Sequence, residues 1–174
     1  MNQLTVDSEK WAVSRLTQLA SLFTFYFLLF AIAFLLVACA QTTGEPQPPT
    51  IAYGRDVCEA CGMIISDAKF AAATQSIDGK TYKFDDVGEM FAYHAKHPEI
   101  QVRAWFVHDY DSQKWIAGAT AFYVISKEIK SPMGTGVVAF ADKDAAEAFA
   151  GRVNTKVVSF DDARTAKLMG GQGM

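Results

Sequence analysis

Two stretches of this chain share one punctuation. YKFDDVGEMFAY (82–93) and VAFADKDAAEAFA (138–150) each run from the end of an apolar strand, through an acidic residue, into a helix with an aromatic near its close. The flanking segments complete both patterns. AAATQSI and KTYKF lie on either side of Asp78-Gly79, a two-residue hairpin signal. Asp86, with Glu89 three residues on, predicts a capping box, and Val87, Met90, Phe91 and His94 fall on one helical face. Pro98 ends that helix, and QVRAWFVH reads as the next strand. The order then returns: AFYVISK and GVVAF as a strand pair, Asp142 capping DKDAAEAFAGRV, and TKVVSF as a strand. Asp161 is expected to cap a last short helix. The chain therefore predicts an α+β domain of two β-β-α-β units, related as a weak internal repeat.

The first 38 residues stand apart from this domain. Residues 20–37 (ASLFTFYFLLFAIAFLLV) carry no charge, follow Lys10 and Arg15, and run into Leu36-Val37-Ala38-Cys39. A basic flank, an apolar core and a small residue before a cysteine fit a bacterial secretory signal. LVAC resembles the lipobox of bacterial lipoproteins, in which Cys39 would be acylated and become the first residue after cleavage. The competing reading is a transmembrane anchor, since roughly 18 apolar residues can just span a bilayer. Both readings put the domain outside the cytoplasm. AQTTGEPQPPTIAYG follows as a tether, reaching roughly 40 Å at ~3.1 Å per residue if extended. The expected organisation is a signal at 1–38, a flexible tether at 39–54, a domain at 55–168 and a loose tail at 169–174. The formal net charge is −3, with no basic concentration of the kind nucleic acid requires.

With Cys39 assigned to lipid, one pair remains, Cys58 and Cys61 in DVCEACGMII. Four chemistries compete for it. A disulfide here would close a very small loop and stabilise little. A thioredoxin-type redox pair belongs at a helix N-terminus behind a strand, and Gly62 works against continuing a helix. Structural zinc needs four ligands, for which His94 and His97 are the available candidates; His94, on an apolar stripe, reads instead as a satisfied, half-buried histidine. Monovalent copper is a soft ion that favours thiolate and thioether, and Cys58, Cys61 and Met63 offer three sulfurs within six residues. Gly62 allows the tight turn that would let them converge. Met133, in Ser131-Pro132-Met133-Gly134, is either a further thioether ligand or a loop residue packing on the domain edge. His108, at a strand end, is either a ligand or an edge histidine. Met90 reads as core; Met169 and Met174 lie near the chain end.

These residues, with YKFDDVGEM, WFVHDYDSQKWIAGATAFYV and SPMGTGVVAF, make the exported part resemble the NosL family, lipoprotein accessory factors of nitrous oxide reductase. The resemblance implies a fold of two β-β-α-β units related to the organomercurial lyase MerB, without its lyase chemistry. It implies a periplasmic Cu(I) chaperone, not an enzyme, lipid-anchored to a bacterial membrane and serving denitrification. Its partners would be nitrous oxide reductase, with its copper–sulfide centre, and a NosD/NosF/NosY-type membrane complex. Carried over, Cys61 and Met63 take the family's Cys-Gly-Met positions, Met133 its Ser-Pro-Met-Gly position and Cys39 the lipidation position. Cys58 and His108 remain candidates. The alternative is an exported thiol–disulfide oxidoreductase or a zinc-binding lipoprotein using the Cys58/Cys61 pair.

Overall fold

The computed structural model describes residues 44–167. The expected signal segment, Cys39, Met169 and Met174 lie outside the described residues. Among those described, no helix is long and apolar enough to cross a membrane.

The elements follow in the order β1 (Ala72–Ser76), β2 (Thr81–Phe84), α1 (Val87–Lys96), β3 (Val102–His108) and β4 (Trp115–Ala117). After a 3-10 turn at Gly118–Thr120 come β5 (Phe122–Ile125), β6 (Val137–Phe140), α2 (Lys143–Arg152), β7 (Val157–Val158) and α3 (Phe160–Thr165). One sheet has the order β2-β1-β3-β4 and the other β6-β5-β7. In each, the third strand returns past its helix to pair antiparallel with the first. These are the two β-β-α-β units, with β4 added to the edge of the first. The sheets join where the Tyr110 N–H donates to the Ala139 carbonyl at 2.8 Å, beside a parallel bridge between Asp109 and Ala139.

β6 is buried at every position because helices cover both its faces. Val137 and Ala139 share a core with Met90 and Phe91 of α1, while Val138 and Phe140 share another with Ala146 and Phe149 of α2. A strand covered on both faces reads as a continuous apolar run, which is what GVVAF is. Val87, Met90, Phe91 and His94 form the buried face of α1, as their spacing predicts.

Three local details differ from expectation. Gln75 pairs with Thr81 and Gly79 has φ +87°, so the first hairpin has a three-residue loop, Ile77-Asp78-Gly79. The Gly79 N–H bonds the Ser76 carbonyl (3.0 Å) and the Ser76 N–H bonds the Lys80 carbonyl (2.9 Å), a turn closed by a left-handed glycine. In α1, Asp86 caps the Gly88 and Glu89 N–H groups, but the Glu89 carboxylate faces the Cys58 thiol, so only half of the capping box forms. α3 is capped by Ser159, whose extended backbone precedes the helix; Asp161 already lies in the first turn, where its charge suits the helix dipole.

The structured domain also begins before residue 55. Ile51 is 7 % exposed and belongs to the core, and the Lys83 ammonium holds the Thr50 carbonyl at 2.7 Å.

Candidate metal centre

The cysteine motif lies on a hairpin loop. Val57 and Ile64 form an antiparallel bridge, the Cys58 N–H donates to the Met63 carbonyl (2.8 Å), and the Gly62 N–H returns to the Cys58 carbonyl (3.0 Å). Gly62 has φ +74°, a conformation that costs a residue with a Cβ. The Glu59 N–H donates to the Lys83 carbonyl at 2.8 Å, which pins the loop to β2. The pair does not open a helix of its own, as a thioredoxin-type pair would.

Both cysteines are free; Cys58 is 2 % exposed and Cys61 half-buried. Asp85, immediately after β2, and Glu89, in the first turn of α1, face them. One donor atom from each of Cys58, Cys61, Asp85 and Glu89 lies within 4.8 Å of the others. The Cys58 thiol donates to Glu89 Oε2 at 3.2 Å, and the Cys61 thiol points at Asp85 Oδ1 at 3.9 Å.

Burial pushes the Cys58 thiol far above its ordinary value, against backbone groups of Cys61, Asp85 and Ala60 that favour the thiolate. Burial also raises Cys61, opposed by the Met63 backbone and the Cys58 side chain and reinforced by the charge of Asp85. Glu89 is raised by burial and then by Asp85. Without a cation the site is thus protonated at sulfur. A cation that displaces those protons meets two thiolates with backbone groups already turned toward them.

Asp85 and Glu89 are not among the site residues expected from the sulfur motif, although the sequence carries a signal for them. A helix needs one capping acid, and Asp85-Asp86 supplies two; Asp85 and Glu89 are four residues apart, on one side of the helix start. The histidines considered for zinc are occupied elsewhere. His94 Nε2 pairs with Thr74 Oγ1 at 2.9 Å, and His97 Nδ1 lies 3.0 Å from Glu99. His94 is only partly satisfied, since its buried Nδ1 has no hydrogen-bond partner.

Met63 adjoins the group and is 50 % exposed, between Val57 and Ile64, which are also exposed. Met133 is half-buried, and its N–H donates to Asp86 Oδ2 at 3.2 Å, one residue from Asp85. His108 stays outside the four-residue group. Its Nδ1 bonds the Ala71 carbonyl (2.9 Å), its Nε2 the Tyr53 hydroxyl (3.1 Å), and its ring stacks on Trp115.

Two thiols and two carboxylates converging at a loop of a small α+β domain make a candidate soft-metal site. The chain belongs to the NosL family, whose model matches residues 49–168. It is 28 % identical over 150 residues to the copper-binding lipoprotein NosL of Stutzerimonas stutzeri, a match covering 79 % of this chain and 78 % of that protein. The crystal structure of the copper chaperone NosL from Shewanella denitrificans has the same fold. Its TM-score is 0.59 at 23 % identity, over 68 % of this chain and 96 % of that one.

Proposed function

We propose that this protein is a membrane-tethered, exported metallochaperone that carries Cu(I) without catalytic turnover and delivers it for the copper–sulfide centre of nitrous oxide reductase. The observation that carries the reading is the convergence of the free Cys58 and Cys61 thiols on one exposed-edged loop. Copper is cargo here, and the donor set fits it: a soft monovalent ion takes two thiolates and a neighbouring thioether such as Met63. Few ligands on a loop allow stepwise exchange, which a carrier needs and a closed four-ligand site resists. Acylation at Cys39 would hold the domain at the periplasmic side of a membrane, within reach of a NosD/NosF/NosY-type complex. The names of the relatives, a copper-binding lipoprotein and a copper chaperone, support this reading.

The test is anaerobic Cu(I) titration of the reduced protein against a competing chelator. One equivalent is expected to bind tightly, with affinity rising as pH rises, because both thiol values are raised and binding must displace their protons. Each thiol proton released adds roughly tenfold per pH unit. A pH-independent affinity would show that the thiolates are not the ligands.

A second reading rests on Asp85 and Glu89. Two thiolates and two carboxylates make a complete tetrahedral set for zinc. The same titration with Zn(II) separates the two, copper being expected to win by a wide margin and the metal-free domain to stay folded on its own cores.

A further inference from the structure

Asp86 has more partners than a helix cap requires. Its buried Oδ1 accepts from the Gly88 N–H (2.8 Å), the Glu89 N–H (3.3 Å) and the Thr135 hydroxyl. Its Oδ2 accepts from the Ser131 hydroxyl (2.6 Å) and the Met133 N–H (3.2 Å). The two helix N–H groups complete an N-cap. The other donors all come from the 131–135 loop, which belongs to the second β-β-α-β unit. That loop is built to be held: Ser131 Oγ also accepts from the Gly136 N–H at 3.0 Å, and the Gly134 N–H bonds the Ser131 carbonyl at 3.0 Å. A Cβ on Gly136 would come within 2.1 Å of the Ser126 carbonyl oxygen, so the base of the loop packs against that backbone as only a glycine can.

On the chain, Asp86 lies between Asp85 and Glu89, the two carboxylates that face the cysteines. A residue fixed to both the metal-facing helix start and the Met133 backbone sets one relative to the other. We propose that Asp86 is a positioning residue that latches the Ser-Pro-Met-Gly loop onto the metal centre, holding the Met133 thioether where it can join the copper carried by the cysteines. The proposal rests on the reading of the protein as a Cu(I) carrier and adds to it a device that recruits the third sulfur. Three rotatable bonds let the methionine side chain reach and release the ion while its backbone stays pinned. The latch spans the two units, so the site is complete only when both have folded and docked.

The discriminating variant is Asp86→Asn. Asparagine caps a helix as well as aspartate, so α1 keeps its start. The carboxamide has one oxygen where the carboxylate has two. Oδ1 faces three donors, and the Ser131 hydroxyl can turn to accept, so the amide nitrogen settles against Ser131 and the Met133 N–H loses its acceptor. In the metal-free protein, amide exchange at Met133 should rise on the order of tenfold or more, as for a lost bond to a charged group, while the Gly88 and Glu89 amides stay as in the parent. In selenomethionine-labelled protein carrying Met63→Leu, copper X-ray absorption should show a Cu–Se contact, and D86N should lose it. On a Met133→Leu background, D86N should have no further effect on Cu(I) transfer to a chelator, because the two changes remove one interaction. Unchanged exchange at Met133 in D86N overturns the latch. A Cu–Se contact that persists in D86N, or effects of D86N and Met133→Leu that add, reduces Asp86 to a helix cap. If the parent binds no Cu(I), the functional reading falls, and with it the copper half of the proposal, while the exchange result still decides the latch.

Discussion

The two β-β-α-β units share a strand order and a cap position, yet only the first places carboxylates against the cysteines. Aligned at their helix starts, Phe84-Asp85-Asp86 meets Phe140-Ala141-Asp142, and Glu89 meets Ala145. Both phenylalanines are fully buried, and Asp86 and Asp142 each cap a helix. Asp85 and Glu89, which face the cysteines, are alanines in the second unit. Asp86 is buried and serves two units, whereas Asp142 is exposed and, among the described residues, its side chain accepts from the Ala145 N–H alone, at 2.8 Å. The scaffold therefore needs an apolar strand end and one acid before each helix. The acids beyond that requirement, Asp85 and Glu89, are the ones gathered with the cysteines.

The largest expected effect concerns the loop that the second unit lacks. Cys61→Ser should weaken Cu(I) binding by more than the roughly 10–100-fold that loss of a supporting partner costs, because it removes a charged ligand. Chelator competition at fixed pH measures it, and near-parental affinity would mean that Cys61 is not a ligand.

Next come the two caps. Asp86→Ala leaves several buried donors unpaired and should cost about 3 kcal/mol or more. Asp142→Ala removes an exposed cap and should cost about 1 kcal/mol. Urea unfolding of the pair checks the difference, and equal losses would erase the asymmetry between the two caps.

The helices also differ at their buried faces. His94 of α1 aligns with Ala150 of α2. Burial, and then the neighbouring His97, lowers the His94 value to about 4. The unfolded imidazole takes up a proton near pH 6.5, so the stability tied to neutral His94 is complete above that pH. It is lost as pH falls from 6.5 toward 4, on the order of 2–3 kcal/mol in all. In His94→Gln, which can still meet Thr74, that component of the acid slope should vanish from unfolding curves; an unchanged slope would assign the loss to other groups.

The smallest effect comes from giving the first unit the second unit's residues. Asp85→Ala with Glu89→Ala should leave the circular dichroism intact and lower Cu(I) affinity about tenfold, as for supporting partners, while Zn(II) binding disappears. Equal losses for both ions would make the carboxylates full copper ligands.

Much of this was legible in the sequence, and what was missed has a physical cause. Period, turn residues and acidic caps act locally, so the element order and the buried face of α1 follow directly from the residues. The CxxCGM loop also follows, because Gly62 declares its turn. Glu89 departs from expectation because one sequence position suits two local uses: its N3 place predicts a bond back to the cap, and a thiol distant in sequence captures it instead. Partners that arrive from 31 residues away leave no mark in a local window. The same holds for Ile51, which looks like tether by composition and is core by contact.

Lys83 gives the attachment of the domain a mechanical meaning. Its ammonium grips the Thr50 carbonyl and the Asp56 carboxylate (2.6 Å), and its own carbonyl receives the Glu59 N–H beside Cys58. One residue thus fastens both the incoming chain and the metal loop. Tension arriving along the chain ahead of Thr50 would therefore reach β2 and, through the same residue, the loop that carries Cys58.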